Sequence, residues 1–507
     1  MTGSATPIPV LSVLEVGARL TEPPSDLLVR TAFARDLAAQ VDLHEAMSLA
    51  DIAHTLELSE RGQIPPDAGR DLLDALLELH ERLAVFQANC GQGDLYSNRE
   101  AWLRQRTSAT GWLGCGRARR EPVTTAFHLT ALAACVELVD ALGAAVQSIA
   151  EVAAAHRHAV MPEHTYLQAA QPTSFGHYLL SFVDPLTRCL SRTQELHDRF
   201  DQCPAGIGSS NGTPIPQHRQ ALTERLGFTR PVRHCRDAMW LADLPIEALG
   251  VVVAVAVTLD RLAVDLMILT TAEFGYLRLA DRHCRASKVM PQKRNPFALA
   301  YLRAEANRLL GVQAALAAAA RTPSGSMDNR LDAYAAVPDA LTAVAVAARL
   351  AGEVVGDIEF DSARAEAALA DRAVCAADLV ARLSLTGGIG YRDAYRTVGR
   401  LVRELELRGQ PLAEVTPQDL VAALAPSGHL SLELAASLIR DAFDLNTCLE
   451  AREDIGGAAP AEVSRMANES LALAKKYRNW GEERRATMAG NQASLLDAAR
   501  RFVGGDT

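Results

Sequence analysis

Ser287-Lys288-Val289-Met290-Pro291-Gln292-Lys293-Arg294-Asn295-Pro296 sets a hydroxyl, a cation and an amide donor close together, just ahead of a long apolar segment. Proline suits the first turn of a helix, where its missing N–H is not needed. Leu299, Leu302, Ala306, Leu309 and Leu310 fall near helical spacing, so a helix is expected from Phe297 to Ala320. Lys293 and Asn295 would then stand at a helix N-terminus, where free N–H groups and the macrodipole favour an anion such as a carboxylate. Taken by itself the stretch also reads as a Pro-bounded loop carrying a solvated Lys-Arg pair.

Outward from this loop, the pattern is one of very long helices. Val123 to Arg157, Ser174 to Phe200, Leu244 to Phe274, Phe297 to Ala320 and Asp328 to Val355 are rich in Ala, Leu and Val and show almost no strand alternation. The fold class expected is all-α, with an elongated bundle at its centre. Such a bundle leaves an apolar stripe that sister subunits would bury, so an oligomer is expected. Three units are predicted: an N-terminal helical domain (1–115), the long-helix bundle with the loop (116–360), and a small helical domain (361–507). The last is punctuated by Gly387-Gly388, Gly390, Pro411 and Pro426-Ser427-Gly428.

Of 507 residues, 49% are hydrophobic and 22% charged, which allows a large core. A net charge of -10 argues against nucleic acid as a partner. The nine Cys form no C-x-x-C pair and the 13 His have no ligand spacing, so neither disulfides nor a metal or other cofactor is expected. The most apolar segment, Ala248 to Leu259, is too short for a membrane span of about 20 residues. With no basic-then-apolar leader at the start, a cytoplasmic protein is expected.

The decapeptide resembles the signature loop of the fumarase/aspartase superfamily, Gly-Ser-Ser-x-Met-Pro-x-Lys-x-Asn-Pro. Its Met-Pro-Gln-Lys-x-Asn-Pro form is most similar to the argininosuccinate lyases and delta-crystallins. The resemblance covers about residues 15 to 475. It implies a three-domain helical homotetramer, with active sites shared between subunits, that eliminates an amine or water from a succinyl group and releases fumarate. It also implies that Ser287 is the proton-abstracting base, with Lys293, Asn295 and Met290 around the substrate. Two departures are local: Ala286 replaces a Gly, which is expected to change the loop's shape, and Lys288 replaces the second Ser, adding a charge.

Three further islands carry the resemblance. Thr165-Tyr166-Leu167-Gln168-Ala169-Ala170-Gln171-Pro172 is similar to Thr-His-Leu-Gln-x-Ala-Gln-Pro, with Tyr166 where the family has its acid, a His; Thr165 and Gln168 are implied to bind substrate. His164, two residues before Tyr166, would share its face on extended backbone; the alternative is an exposed loop residue. Gly116-Arg117-Ala118-Arg119-Arg120-Glu121 is similar to Gly-Arg-Ser-Arg-Asn-Asp, which makes Arg119 a grip for a substrate carboxylate and puts Arg120 beside it. Gly206 to Thr213 resembles the family's Gly-rich turn. Asn98, in Asp94-Leu95-Tyr96-Ser97-Asn98-Arg99-Glu100, is read either as a site residue or as a helix cap.

The departures follow a pattern. The family Glu that pairs with the catalytic His falls on Ala300, so both halves of that relay are missing. The 323–329 loop lacks the elements that hold the arginine portion of argininosuccinate. The expectation is a carbon–nitrogen lyase acting on an N-substituted succinate. Its leaving group would be an amine, a hydrazine or nitrite, as in secondary metabolism. Ordinary argininosuccinate lyase, a non-catalytic crystallin-like protein and a cycloisomerase are the rival readings. A mobile lid is expected over Gly275 to Val289.

Overall fold

The computed structural model describes residues 13–16, 18–326, 328–425 and 429–505. Gly17, Met327 of the 323–329 loop and the Pro426-Ser427-Gly428 turn lie outside the described residues.

The N-terminal part is built from α1 (His44–Glu60), α2 (Pro66–Glu81) and α3 (Leu95–Arg104). Asp94 starts α3: its carboxylate accepts the Ser97 N–H at 3.0 Å, an N-cap. Then comes α4 (Arg120–Ala155), 36 residues long and buried on nearly every side. A helix apolar all round belongs inside a bundle, and α4 is the bundle's axis. The hairpin β1 (Val160–Thr165) and β2 (Gln168–Ser174) follows it.

The expected Ser174–Phe200 helix is in fact two, α5 (Phe175–Leu180) and α6 (Val183–Phe200). Pro185 explains the break, since its ring would collide with the Ser181 carbonyl of a continuous helix and it has no N–H to offer. The bundle continues with α7 (Asp243–Leu269). Strand β3 (Leu277–Arg278) and a short hairpin of β4 (Arg285–Ala286) and β5 (Arg294–Asn295) lead into α8 (Phe297–Ala319). Next are α9 (Asp328–Gly356) and β6 (Glu359–Phe360), which pairs with β3. Helices α4 and α9 run parallel: the Thr124 hydroxyl lies 2.6 Å from that of Tyr334 near their starts, and Ser148 Oγ donates to the Gly352 carbonyl at 2.7 Å near their ends.

The C-terminal part forms α10 (Ala376–Leu385), α11 (Tyr391–Leu407), α12 (Pro417–Leu424) and α13 (Leu432–Phe443). On α11, Ala394, Thr397, Val398, Leu401 and Leu405 make one buried stripe at helical spacing. These four helices enclose a separate apolar cluster from Leu379 to Ala442. The final helix, α14 (Pro460–Gly504), leaves that cluster: its Val463, Ala467 and Leu495 join the main core with Phe127, Val252 and Val344. Two segments, Arg120–Ala155 and Asp332–Gly356, are long and apolar enough to cross a membrane. Most of each apolar window is buried against other helices, as in bundle helices.

Candidate active site

The signature residues lie on the β4–β5 hairpin, with Arg285 opposite Asn295 and Ala286 opposite Arg294. Arg294 pins the hairpin from outside, donating to the Leu279 carbonyl at 2.9 Å and pairing with Asp281. Ala286 sits in paired strand, not in a left-handed turn. The expected distortion from losing glycine therefore does not arise. Inside the loop, Ser287 Oγ accepts the backbone N–H of Val289 at 3.2 Å and of Met290 at 3.0 Å. Donors aimed at a hydroxyl oxygen favour its ionised form.

Lys293 is exposed, and among the described residues it has no carboxylate within ion-pair range. Asn295 Nδ2 donates to the Arg285 carbonyl at 2.9 Å, leaving its second N–H for a ligand. Met290 is half exposed on the same loop. Pro296 is the cap residue of α8, not its first turn; no side chain caps this end and its first turn holds no acid. The first N–H groups of α8 are thus open toward an anion.

The expected lid is shorter than Gly275 to Val289. Pairing of β3 with β6 fixes Leu277 and Arg278, and Arg282 and His283 both bind Asp357, His283 Nε2 at 2.7 Å. Those contacts, His283 first and then Arg282, hold the Asp357 carboxyl below the usual carboxylate range. What remains unanchored is the hairpin loop itself.

Tyr166 and Leu167 form the two-residue turn between β1 and β2, since Thr165 faces Gln168. Their φ values are 54° and 59°, the arrangement of a type I′ turn, which ordinarily takes Asn or Gly. Tyr166 is 100% exposed, and Thr165 and Gln168 are exposed beside it. Because the chain turns at Tyr166, the face-sharing expected of His164 fails. The His164 ring packs edge-on to Phe274 at 5.3 Å and is half-buried, not an exposed loop residue. Burial pulls its pKa down, which keeps the ring neutral.

At the start of α4, Arg119 Nε lies 3.3 Å from Asp94 Oδ2, which leaves the two terminal nitrogens for a ligand. Arg120 is the first residue of the helix. Behind them, Asp51 is buried between Arg99 and Arg117 and ion-paired to both. Glu121 is 1% exposed and accepts the backbone N–H of Gly206 at 3.0 Å and that of Gly208. It ties the Gly-rich turn to the Arg119 segment, as does the bond from Ala118 N–H to the Gly208 carbonyl. Asn98 departs from its expected role. It is 2% exposed, accepts from Asn89 N–H and donates to the Gly93 and Asp94 carbonyls, so its amide is consumed in shaping the loop. The reading from sequence missed Asp94 and Glu121. Their signal was an acid closing the Arg-bearing island, Glu121, and one opening the Asn98 stretch, Asp94.

The islands do not all meet within one chain. At 1.5 Å per residue α4 is about 54 Å long. Arg119 and Arg120 are at its start, while the β1–β2 hairpin follows its end. The signature hairpin is tied to Asp357, one residue past the end of the parallel helix α9, so it belongs to the Tyr166 end. A succinyl group spans only a few bonds and cannot reach from Ser287 to Arg119 of the same protomer.

Residues 74–311 match the family described as Lyase. Argininosuccinate lyase of Methanoculleus marisnigri is 31% identical over 462 residues, covering 90% of this chain and 92% of that one. The chain belongs to the argininosuccinate lyase family. The enzyme of the same name from Methanothrix thermoacetophila is 30% identical, with 91% and 92% covered. Among solved structures, EDDS lyase in complex with formate has a TM-score of 0.82 at 24% identity, covering 96% of this chain and 97% of that one. The 3-carboxy-cis,cis-muconate lactonizing enzyme of Pseudomonas putida has a TM-score of 0.66 at 22% identity, covering 89% and 100%. These last two likenesses concern the fold. Membership makes the chain a carbon–nitrogen lyase of the helical, three-domain fumarase/aspartase superfamily.

Proposed function

We propose that this lyase catalyses β-elimination from an N-substituted succinate, releasing fumarate, and that its preferred substrate is not argininosuccinate. The observation that carries the reading is the setting of Ser287 Oγ. Two backbone N–H groups point at it, and Lys293, Asn295 and the uncapped start of α8 stand in the same hairpin.

Ser287, as alkoxide, takes the proton from Cβ. The electron pair flows into the adjacent carboxyl group, giving a dianionic aci-carboxylate. Lys293, the free N–H of Asn295 and the α8 N-terminus hold that charge. Collapse forms the double bond and expels the nitrogen. Arg119 grips the other carboxylate from a neighbouring protomer, because α4 separates it from Ser287 of its own chain. That requirement supports a homotetramer with shared sites. Tyr166, exposed on its turn, donates a hydrogen bond to the leaving group in place of the family His, with Thr165 and Gln168 beside it. Ala300 on the first turns of α8 offers nothing to raise the basicity of an acid–base partner.

This machinery suits a leaving group needing little protonation: nitrite, a hydrazine, or an amine already carried as ammonium. A role in secondary metabolism, in the cytoplasm, is part of the proposal. The test is fumarate release from nitrosuccinate and a panel of N-substituted aspartates, with argininosuccinate included. Turnover of none of them, in either direction, sinks the proposal. Similarity to argininosuccinate lyases along nine-tenths of the chain favours the second reading, ordinary argininosuccinate cleavage. Rescue of an arginine auxotroph would establish that one instead.

A further inference from the structure

A dicarboxylate needs two cationic grips, and the site outlined above already supplies both. Lys293 with Asn295 and the α8 N-terminus takes the carboxylate next to the proton that leaves, and Arg119 takes the other. Two more cations stand beside them: Lys288 follows the base directly, and Arg120 follows Arg119. Both occupy positions where the family motif has an uncharged residue, so each change adds one positive charge.

The surroundings do not neutralise the loop. From Arg285 to Asn295 the chain carries Arg285, Lys288, Lys293 and Arg294 and no acid, in a protein whose net charge is -10. Arg294 is matched by Asp281, outside the loop. Arg285 lies over the Phe297 ring at 5.1 Å, and Lys288 and Lys293 are exposed. Among the described residues, none of Arg285, Lys288 and Lys293 has a carboxylate within ion-pair range. At the other island, Arg119 and Arg120 are offset by Asp94 and Asp36, so the surplus is at the signature loop. A local positive field on an acidic protein draws in anions and sets which ones dwell there.

We infer that the leaving group itself is anionic, a carboxylate-bearing amine or nitrite, and that Lys288 is the residue that selects it. This rests on the elimination proposed above. For an N-(carboxyalkyl)aspartate, the secondary ammonium nitrogen leaves with the C–N electron pair as a neutral amine, its carboxylate held by Lys288, and the Cβ proton goes to Ser287. For nitrosuccinate, nitrite leaves with the pair and no proton is required.

The test compares kcat/KM for N-(carboxymethyl)aspartate and nitrosuccinate with that for N-methylaspartate, whose leaving group is uncharged, in wild type, Lys288→Ser and Lys288→Glu. Wild type is expected to prefer the anionic donors. Lys288→Ser should shrink that preference roughly three- to tenfold, through KM, and Lys288→Glu should shrink it further. Lys475→Ser, a charge removed from the exposed side of α14, should leave the preference alone. Preference for the uncharged donor, or ratios unmoved by Lys288→Glu, overturns this inference while the lyase reading stands. If wild type turns over none of the three, this inference falls, and the lyase reading falls with it only when the wider panel also fails. Turnover of nitrosuccinate alone assigns nitrite, and of N-(carboxymethyl)aspartate alone assigns the amine.

Discussion

The Oγ of Ser287 sits 3.0 Å from the backbone nitrogen of Met290, as the acceptor of its N–H. With the Val289 N–H at 3.2 Å, this gives the hydroxyl two fixed donors from its own loop. In the role proposed for it, the hydroxyl is thus prepared before substrate arrives. Ser287→Ala removes the oxygen and, because the residue is not a core packing element, should leave helical content unchanged. Turnover should fall by about 10²–10⁴-fold. A variant with wild-type turnover would assign proton abstraction to another group.

The hairpin turn makes a second prediction. Leu167 holds a left-handed φ of 59° that costs an L-residue of this kind roughly 1–2 kcal/mol. Leu167→Gly should relieve that strain and raise the unfolding midpoint. It should also slacken the turn that presents Tyr166, lowering kcat. Tyr166→Phe should lower kcat with no gain in stability. Equal stability of wild type and Leu167→Gly would mean that the turn carries no such strain.

How much of this was legible in the sequence differs from island to island. Ser287, Lys293 and Asn295 could be read because a contiguous motif fixes both identity and spacing, and the long helices because burial on all sides leaves unbroken apolar runs. The gap between α5 and α6 needed the position of Pro185 against Ser181, a local clash hidden in a sound periodic pattern. Asn98 was misread because its partners, Asn89 and Gly93, lie upstream in an irregular loop that periodicity cannot describe. The Tyr166 turn was hidden for another reason: neither Tyr nor Leu signals φ above zero. Glu121 could not be placed without knowing that a turn 85 residues away folds onto it.

Asp51 joins two buried arginines. Arg99 donates to Asp51 Oδ2 at 2.8 Å and Arg117 pairs with Oδ1, with the arginine side chains 0% and 1% exposed. Asp51→Asn would leave two buried cations without their counter-charge. A loss of about 3–5 kcal/mol is expected, read as a drop in the urea midpoint. Asp393→Asn, which breaks the exposed pair with Arg396 at 3.9 Å, should cost under about 1 kcal/mol. Comparable losses from both would show that water reaches Asp51.

The pH dependence of stability should single out Glu121. Burial pushes its carboxyl up to about 7, against the pull of Arg117 and of the Gly206 and Gly208 N–H groups. The unfolded chain releases this proton near 4.5. Between the two values the folded chain therefore holds more protons than the unfolded one, and stability falls as pH rises. The contribution is complete below about 4.5 and lost by the time pH has passed through about 7, with a ceiling of about 3 kcal/mol. Glu121→Gln cannot ionise, though it leaves one glycine N–H unpaired, at a cost of about 1–3 kcal/mol at every pH. The wild-type urea midpoint should therefore lie above the variant's at pH 5 and fall to it or below it by pH 8, because only wild type acquires a buried charge as pH rises. All other titrating groups cancel in this difference. Midpoints that stay parallel across the range would mean that Glu121 is ionised throughout, with the Arg117 charge and the two glycine N–H groups outweighing its burial.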